Sequence, residues 1–366
     1  MTIDIQRTEH QLVEQLIETL RALPEVRADI LSGSWTSRGS DTGYDAKVNL
    51  WVAGKSLTLL VEAKKSLYPR DARQLLWRLK EFRNPWANES IEKEVFPLLL
   101  AGSISPGAKE LLKEQRVGYF DSGGSLFLSA KGTYLYIDKP PPKSLMRSRR
   151  FLFSGRRSQV LHALLMRHTE WFGVKELAKL AEVSPATTSQ VLTELDRSEW
   201  LESRGQGPNK ERSLREPAVL LDAWAKQLSA IRPPDLRRYY VPSVRADGLM
   251  EKFDHICTAH GADYAITHEA AGQRYAPFLS SVSQVRTRLL ASPAAERAIG
   301  DLDARVVNEG ANLVVIDAKT PGELLFRRRI EGVWLASPIQ VYLDLIRSEG
   351  RAKELAEHVR RERIEF

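Results

Sequence analysis

Apolar residues recur along the first third of the chain with two different periods. Between Gln11 and Leu23, leucines every three or four positions share one face of a predicted helix. Valine and leucine then alternate with other residues over Ala46–Val52, and a second apolar run covers Leu57–Lys64, with Ala53–Ser56 as the turn between them. The pattern predicts a helix followed by an antiparallel hairpin. Beyond the hairpin, the chain alternates helix, strand, helix and strand up to about residue 137.

Three closely spaced helical patterns occupy the middle of the chain. Ser158–Arg167 carries an apolar stripe, a second stripe follows it, and Ser184 followed by Pro185 is typical of a helix start. The third helix, Pro185–Ser198, buries its valine and leucines. That leaves four small polar side chains predicted to face outward: Thr187, Ser189, Gln190 and Thr193. Two short strands around a Gly205–Asn209 turn follow, so the pattern predicts three helices and a two-stranded wing.

The last third of the chain has the pattern of an α/β domain. YAITHEAAGQRYAP predicts a short strand leading into a helix, NLVVID predicts a buried strand, and two amphipathic helices close the chain. Proline-rich segments with basic neighbours interrupt the pattern at Asp138–Arg150 and Ile231–Ser243. We therefore expect an α/β multidomain protein with three domains, at residues 1–138, 139–230 and 231–366.

Composition narrows the class of protein. With 43% hydrophobic residues in 366, each domain has enough apolar residues for a core. A single cysteine excludes an intramolecular disulfide and fits a reducing compartment. The first residues lack the basic and then apolar pattern of a signal peptide, and no run approaches the roughly 20 apolar residues of a membrane span. The expectation is a soluble, cytoplasmic protein with no membrane partner.

The positive charge is concentrated in one part of the chain. The whole protein carries 54 Lys and Arg against 47 Asp and Glu, a net charge of +7. Residues 139–216 hold 15 basic and 9 acidic residues, so this stretch alone carries 15 − 9 = +6. Lysines and arginines in such a stretch can neutralise phosphates, while small polar side chains suit base edges in the major groove. The expected partner is double-stranded DNA, contacted by Arg156, Arg157, Arg204, Lys210, Arg212 and Arg215.

The run VKELAKLAEVSPATTSQVLTELDRSEWLESRG resembles the winged helix-turn-helix of bacterial transcription regulators. The resemblance covers about 60 residues and implies that the third helix reads sequence while the basic wing contacts the DNA backbone. Palindromic sites would then imply a homodimer with two-fold symmetry. The alternative for this segment is a protein-docking role, which winged helices also serve.

The predicted hairpin brings two carboxylates and a lysine together. Asp45 begins the first strand, while Glu62 and Lys64, two positions apart at the end of the second strand, point to the same face. Paired carboxylates are ligands that suit Mg²⁺, which activates water for phosphodiester hydrolysis, and the ammonium of Lys64 can orient that water. The alternative is an ordinary Glu–Lys pair on the surface of a strand.

Asp45, Glu62 and Lys64 resemble the motif of the PD-(D/E)xK nuclease superfamily. In the helix that follows, PRDARQLLWRLKEF, Gln74 stands where some of these families keep an active-site glutamine. The resemblance implies a restriction-endonuclease-like α/β sandwich over about Gln11–Ile137. It also implies Mg²⁺, held by Asp45 and Glu62, if the protein cleaves DNA, and no cofactor otherwise.

The sequence departs from that family at two points. Tyr44 stands where the motif has proline, and Glu14 and Glu18 are only candidates for the further acidic residue that some of its families place on the first helix. These departures bear on cleavage more than on fold.

The order of the three blocks, with THEAA and VYLDLIRSEGRAKELAEHV in the last one, is similar to regulators grouped with type IV toxin–antitoxin antitoxins of the abortive-infection kind. This resemblance implies transcriptional control by a DNA-bound protein. The preferred hypothesis is therefore a DNA-binding transcriptional regulator whose nuclease-like domain has a structural or accessory DNA-binding role. The alternatives are an Mg²⁺-dependent endonuclease and an antitoxin-like module that contacts a protein partner through the C-terminal domain.

Overall fold

The computed structural model describes residues 2–31, 44–81, 94–130, 132–242 and 245–366. The chain divides into two units. The first consists of Met1–Arg150 with Glu194–Glu199, and the second of Phe151–Thr193 with Trp200–Phe366. In this division most of the winged-helix segment shares a unit with the last third of the chain. The boundaries at residues 138 and 230 stay a prediction.

A seven-stranded mixed sheet forms the centre of the first unit, with its strands in chain order. The hairpin strands run antiparallel, the third, fourth and fifth strands are parallel, and the last three are antiparallel. The strands are β1 (Val26–Ile30), β2 (Ala46–Val52), β3 (Lys55–Lys64), β4 (Glu94–Ala101), β5 (Gly118–Asp121), β6 (Leu126–Ala130) and β7 (Thr133–Ile137).

Helices cover both faces of this sheet. Helix α1 (Thr2–Arg21), which ends two residues before the predicted end at Leu23, packs its leucines on the face that carries Val48, Leu59 and Val61. Helices α2 (Pro69–Glu81) and α3 (Pro106–Glu114) cover the other face. Because strand side chains alternate, β3 presents Val61 to α1 and Glu62 to the α2 side. The prediction of an α/β fold is confirmed; the restriction-endonuclease-like assignment stays a prediction.

The segment predicted to be an extended linker, Asp138–Arg150, is helical in its second half. Helix α4 (Lys143–Leu152) follows the three prolines, and the carbonyl of Pro142 accepts hydrogen bonds from the amides of Leu145 and Met146. Proline is compatible with the beginning of a helix, where its missing N–H has no intrahelical partner in any case. The polyproline pattern therefore marks a helix start here.

The three helices and two strands predicted for the middle of the chain are present, while the winged-helix assignment stays a prediction. The three helices are followed by two antiparallel strands, and Phe172 adds a bridge to Arg212, which widens the wing. A helix that packs against this segment comes next. The elements are α5 (Gly155–Met166), α6 (Val174–Leu180), α7 (Pro185–Arg197), β8 (Leu201–Arg204), β9 (Glu211–Leu214) and α8 (Pro217–Ser229).

The last third of the chain forms a second seven-stranded sheet, in the order β13-β10-β14-β12-β11-β16-β15, flanked by helices. The α/β prediction is confirmed here also. Its strands are β10 (Leu236–Tyr240), β11 (Tyr264–Thr267), β12 (Val285–Leu290), β13 (Arg305–Val306), β14 (Leu313–Ala318), β15 (Arg328–Ile330) and β16 (Val333–Leu335). Its helices are α9 (Ala246–His260), α10 (His268–Tyr275), α11 (Pro293–Asp301), α12 (Pro338–Leu345) and α13 (Arg351–Val359).

Strand β10 lies within Ile231–Ser243, where the sequence predicts a break between domains. It pairs with β13 on one side and β14 on the other, so Leu236–Tyr240 belongs to the second sheet, and the break between domains stays a prediction. The basic run in the strand is accommodated because Arg237 forms ion pairs with Glu296 and Asp317, at 2.9 and 2.6 Å. Among the described residues, no helix is long and apolar enough to cross a membrane.

Candidate nucleic-acid interface and carboxylate site

Asp45, Glu62 and Lys64 lie at the same end of the β2–β3 hairpin. The turn is shorter than predicted: only Ala53 and Gly54 form it, with φ angles of +46° and +79°. Such a two-residue turn fixes the strand register. That register pairs Ala46 with Val61, and the amide of Ala63 donates to Asp45 Oδ2 at 2.7 Å. Asp45 is therefore adjacent to the end of β3 that carries Glu62 and Lys64.

Glu62 is held between two cations. Its Oε1 atom lies 2.8 Å from Lys64 Nζ and 3.0 Å from Arg78 Nη2, and its side chain is 12% exposed. Arg78 comes from α2, which covers this face of the sheet. The sequence reasoning missed this residue, although Arg78 is one helical turn beyond Gln74 and so on the same helix face.

The side chains around Glu62 do not form a typical set of ligands for Mg²⁺. No group of three His, Cys, Asp or Glu side chains suited to a metal ion exists in the part of the chain that the structure describes. Glu62 already balances its charge against Lys64 and Arg78, whereas Mg²⁺ requires a nearly octahedral set of oxygen ligands. Glu14 and Glu18 are exposed on α1, on the side away from its buried leucines.

A cleft of about 830 Å³ lies beside α2 in the first unit. Gln74 is exposed and lines this cleft together with Lys64 and Arg78. Two predicted site residues, Gln74 and Lys64, therefore share one surface with Arg78, which the sequence did not indicate. Trp77, one of the most exposed large apolar side chains at 62%, is part of the same lining.

Helix α7 begins at the predicted signal. The hydroxyl of Ser184 accepts from the amide of Thr187 at 3.2 Å and lies 3.0 Å from the Thr187 hydroxyl, which caps the helix. Thr187 is half-buried through this contact, so its predicted outward orientation is only partly correct. Ser189, Gln190 and Thr193 are exposed, as the pattern predicts.

The polar face of α7 is held in place by further hydrogen bonds. The Thr193 hydroxyl donates to the carbonyl of Ser189 at 2.8 Å, and Arg157 Nη2 donates to Gln190 Oε1 at 2.9 Å. Arg157 also lies over the ring of Phe151, 5.1 Å from its centroid. Gln190 is thereby oriented next to a guanidinium at the exposed face of the helix, while Arg156 is exposed beside it in sequence.

The basic side chains of the predicted wing differ in their exposure and in their ion pairs. Arg204 is tied to Glu211 at 2.7 Å and lies over the ring of Trp171, 4.4 Å from its centroid. Lys210 and Arg212 are half-buried. Arg215 is 56% exposed, and its Nε is 3.6 Å from Glu216. Arg204 and Arg215 are thus both exposed, and Arg215 has the longer ion-pair distance.

The second unit contains a buried ion pair that the sequence reasoning did not identify. Arg288 donates to both carboxylate oxygens of Asp344, at 3.0 and 2.6 Å, and Thr267 donates to the same carboxylate at 2.6 Å. Burial by itself raises the pKa of Asp344, but the Arg288 guanidinium outweighs it and lowers the pKa to about 2. The sequence signals were the THEAA run, which contains Thr267, and the VYLDLIRSEG run, which contains Asp344.

No family model and no curated protein matches the chain. Among solved structures, the chain is similar to NolR from Sinorhizobium fredii, with 17% identity over 25% of this chain and 95% of that chain, at a TM-score of 0.18. At that TM-score the two folds are not established as alike.

Proposed function

We propose that this protein is a transcriptional regulator that binds duplex DNA through its winged helix. The observation that carries the proposal is the exposed polar face of α7, with Ser189, Gln190 and Thr193, on the basic segment of the chain. Hydroxyl and amide side chains on a helix can donate to and accept from base edges in the major groove.

Charge supports the same function. The excess of 15 − 9 = +6 over residues 139–216 accounts for most of the net charge of +7. Arg156 and Arg215 are exposed, and Arg157 is placed next to Gln190 by its hydrogen bond. Contacts of this kind to phosphates fix the register of the protein on DNA, and the polar face of α7 then contributes the sequence preference.

The first test is a mobility-shift assay of genomic duplex fragments over a salt series. With roughly four to six phosphate contacts, the logarithm of the association constant is expected to fall with the logarithm of salt with a slope of about −4 to −5. Arg215→Ala should weaken binding to all sequences alike, and Ser189→Ala with Gln190→Ala should remove discrimination between sequences.

Lys353→Ala is the matched control for Arg215→Ala, because Lys353 is an exposed cation of α13. It should bind DNA as the unchanged protein does. Unaltered mobility of every fragment at about 50 mM salt, where phosphate contacts are strong, would contradict the proposal.

An Mg²⁺-dependent endonuclease is the second candidate, and the convergence of Asp45, Glu62 and Lys64 at one strand end favours it. Against it stands the engagement of Glu62 by two cations. Incubation of plasmid, linear and branched DNA with Mg²⁺ or Mn²⁺, against EDTA and Glu62→Ala, decides: cutting that persists in Glu62→Ala excludes this site. The antitoxin-like role, a protein partner and a homodimer stay predictions.

A further inference from the structure

We propose that the cleft beside α2 is a binding site for single-stranded DNA that operates without a metal ion, in which an unpaired base stacks on Trp77 and the adjoining phosphates contact Lys64, Lys65 and Arg78. Ser189, Gln190 and Thr193 do not line this cleft, to which α7 contributes its last residue, Arg197. The site gives the nuclease-like part of the chain a ligand of its own.

The position of Trp77 is the first observation. Helix α2 buries Ala72, Leu75 and Leu76 against the sheet, whereas Trp77 is 62% exposed and is not part of that core. Gln74, three residues before Trp77, is on the same face of the helix, and Arg78, the next residue after Trp77, also lines the cleft. An exposed indole in a cleft offers a flat surface on which an aromatic base can stack.

The charge of the cleft is the second observation. Among the described residues, its lining holds five cationic side chains and one carboxylate, Asp71. Arg197 pairs with Asp71 at 2.7 Å and Arg73 with Glu199 at 2.8 Å, both partners in the same unit. Lys65 is exposed, and no ion pair joins it to an acidic residue among those described. The five cations are Lys64, Lys65, Arg73, Arg78 and Arg197.

Glu62 positions two cations at the cleft, and these can bind a phosphate in place of a metal ion. Its single oxygen Oε1 contacts both Lys64 Nζ and Arg78 Nη2, so it holds these two cations side by side at the cleft. Glu62 itself is 12% exposed and does not line the cleft. It acts as a positioning residue, and the two cations supply the positive charge that a phosphate requires.

The combination favours a single strand over a duplex. Bases in a duplex are stacked on one another and present only their edges in the grooves, so an indole cannot stack on them. An unpaired base has a free face, and aromatic residues along a cationic groove bind single strands by this contact. At about 830 Å³, the cleft is of a size that accommodates a nucleotide.

The experiment measures fluorescence anisotropy of a labelled oligothymidine of about 15 nucleotides, titrated with the full chain in EDTA. Trp77→Ala is expected to weaken binding about tenfold or more, through loss of base stacking. Lys65→Ala is expected to weaken binding as well. The slope of the logarithm of the association constant against the logarithm of salt should become shallower by about one. Both residues are exposed, so neither substitution removes a core contact.

Two matched controls and a crossed comparison complete the design. Trp51→Ala, at a 36% exposed tryptophan of β2, and Lys143→Ala, at an exposed lysine of α4, should leave oligothymidine binding unchanged. Trp77→Ala should retain duplex binding, whereas Ser189→Ala with Gln190→Ala should retain single-strand binding. Failure of duplex binding alone therefore leaves this proposal intact and removes only the winged-helix function.

The proposal is overturned if the unchanged protein does not bind oligothymidine at about 50 mM salt, a condition under which single-strand binding is strong. It is also overturned if Trp77→Ala binds like the unchanged protein, or if Trp51→Ala weakens binding as much as Trp77→Ala does.

Discussion

Two histidines of the second unit are buried in an uncharged form. His162 Nε2 is 2.6 Å from the Ser337 hydroxyl, and its ring contacts Phe326 and Trp224. Burial, assisted by Arg288, lowers the pKa of His162 to about 3. Burial lowers the pKa of His268 to about 4, although Asp344 partly offsets the effect. Both groups therefore resist protonation in the folded state.

Acidification is expected to destabilise the protein through these residues. An unfolded histidine has a pKa of about 6.5, so between that value and the lowered folded-state pKa the unfolded chain binds more protons. The stability contribution is complete above about pH 6.5 and is lost as the pH falls. From pH 7 to pH 5, each buried histidine should reduce the free energy of unfolding by about 2 kcal/mol, measured by urea denaturation.

His162→Gln tests the assignment, since glutamine can keep a hydrogen bond to Ser337 but does not titrate. The acid-induced loss between pH 7 and pH 5 should become about 2 kcal/mol smaller in this variant. His255→Gln, at an exposed histidine of α9, should show the full loss. An identical pH dependence in His162→Gln and the unchanged protein would contradict the prediction.

At the scale of elements, the β2–β3 hairpin depends on a turn that is not optimal. Ala53 adopts φ = +46°, in the left-handed region, although alanine has a Cβ and no side chain that hydrogen-bonds the backbone. This conformation costs a residue with a Cβ roughly 1–2 kcal/mol. Asparagine tolerates it, and Asn-Gly is a preferred sequence for such a turn.

Ala53→Asn should therefore stabilise the protein by about 0.5–1 kcal/mol, read from the denaturation midpoint. Gly54→Ala should act in the opposite direction by about 1 kcal/mol, because Gly54 has φ = +79°. No atom lies within 4 Å of a Cβ added at Gly54, so the effect there would come from the backbone rather than from crowding. Equal stability of all three proteins would show that the turn is not under strain.

At the scale of the whole molecule, the two units have separate sheets, and the buried pair Arg288–Asp344 belongs to the second. It joins strand β12 to helix α12. Arg288→Met leaves the carboxylate of Asp344 buried without its cation, and such a change typically costs about 3–5 kcal/mol. Adding Asp344→Leu removes the unpaired charge and should recover much of that loss.

Hydrogen exchange of backbone amides shows which part of the protein Arg288→Met destabilises. In Arg288→Met, amides of β11 and β12 should exchange faster, while those of β2 and β3 in the first unit keep their protection. Arg351→Met is the control, because Arg351 and Glu354 form an exposed pair at 4.0 Å that contributes at most about 0.5 kcal/mol. Equal loss of protection in both sheets would show that the units do not unfold separately.

Local sequence determined much of the candidate sites. Ser184 and Pro185 set the start of α7, since capping and proline geometry act within a few residues. The apolar alternation set the hairpin, and a two-residue turn then fixed the register that brings Asp45 next to Glu62. These features depend on neighbours close along the chain, so the pattern was sufficient to predict them.

Tertiary packing decided the rest. The contact between Arg78 and Glu62 arises because α2 folds back over the sheet, and no periodicity in either segment indicates it. Arg237 can belong to a strand because Glu296 and Asp317 are brought to it from distant positions. Side chains far apart in the sequence determine which charges are balanced, and that balance distinguishes a metal-binding carboxylate from a residue that positions cations.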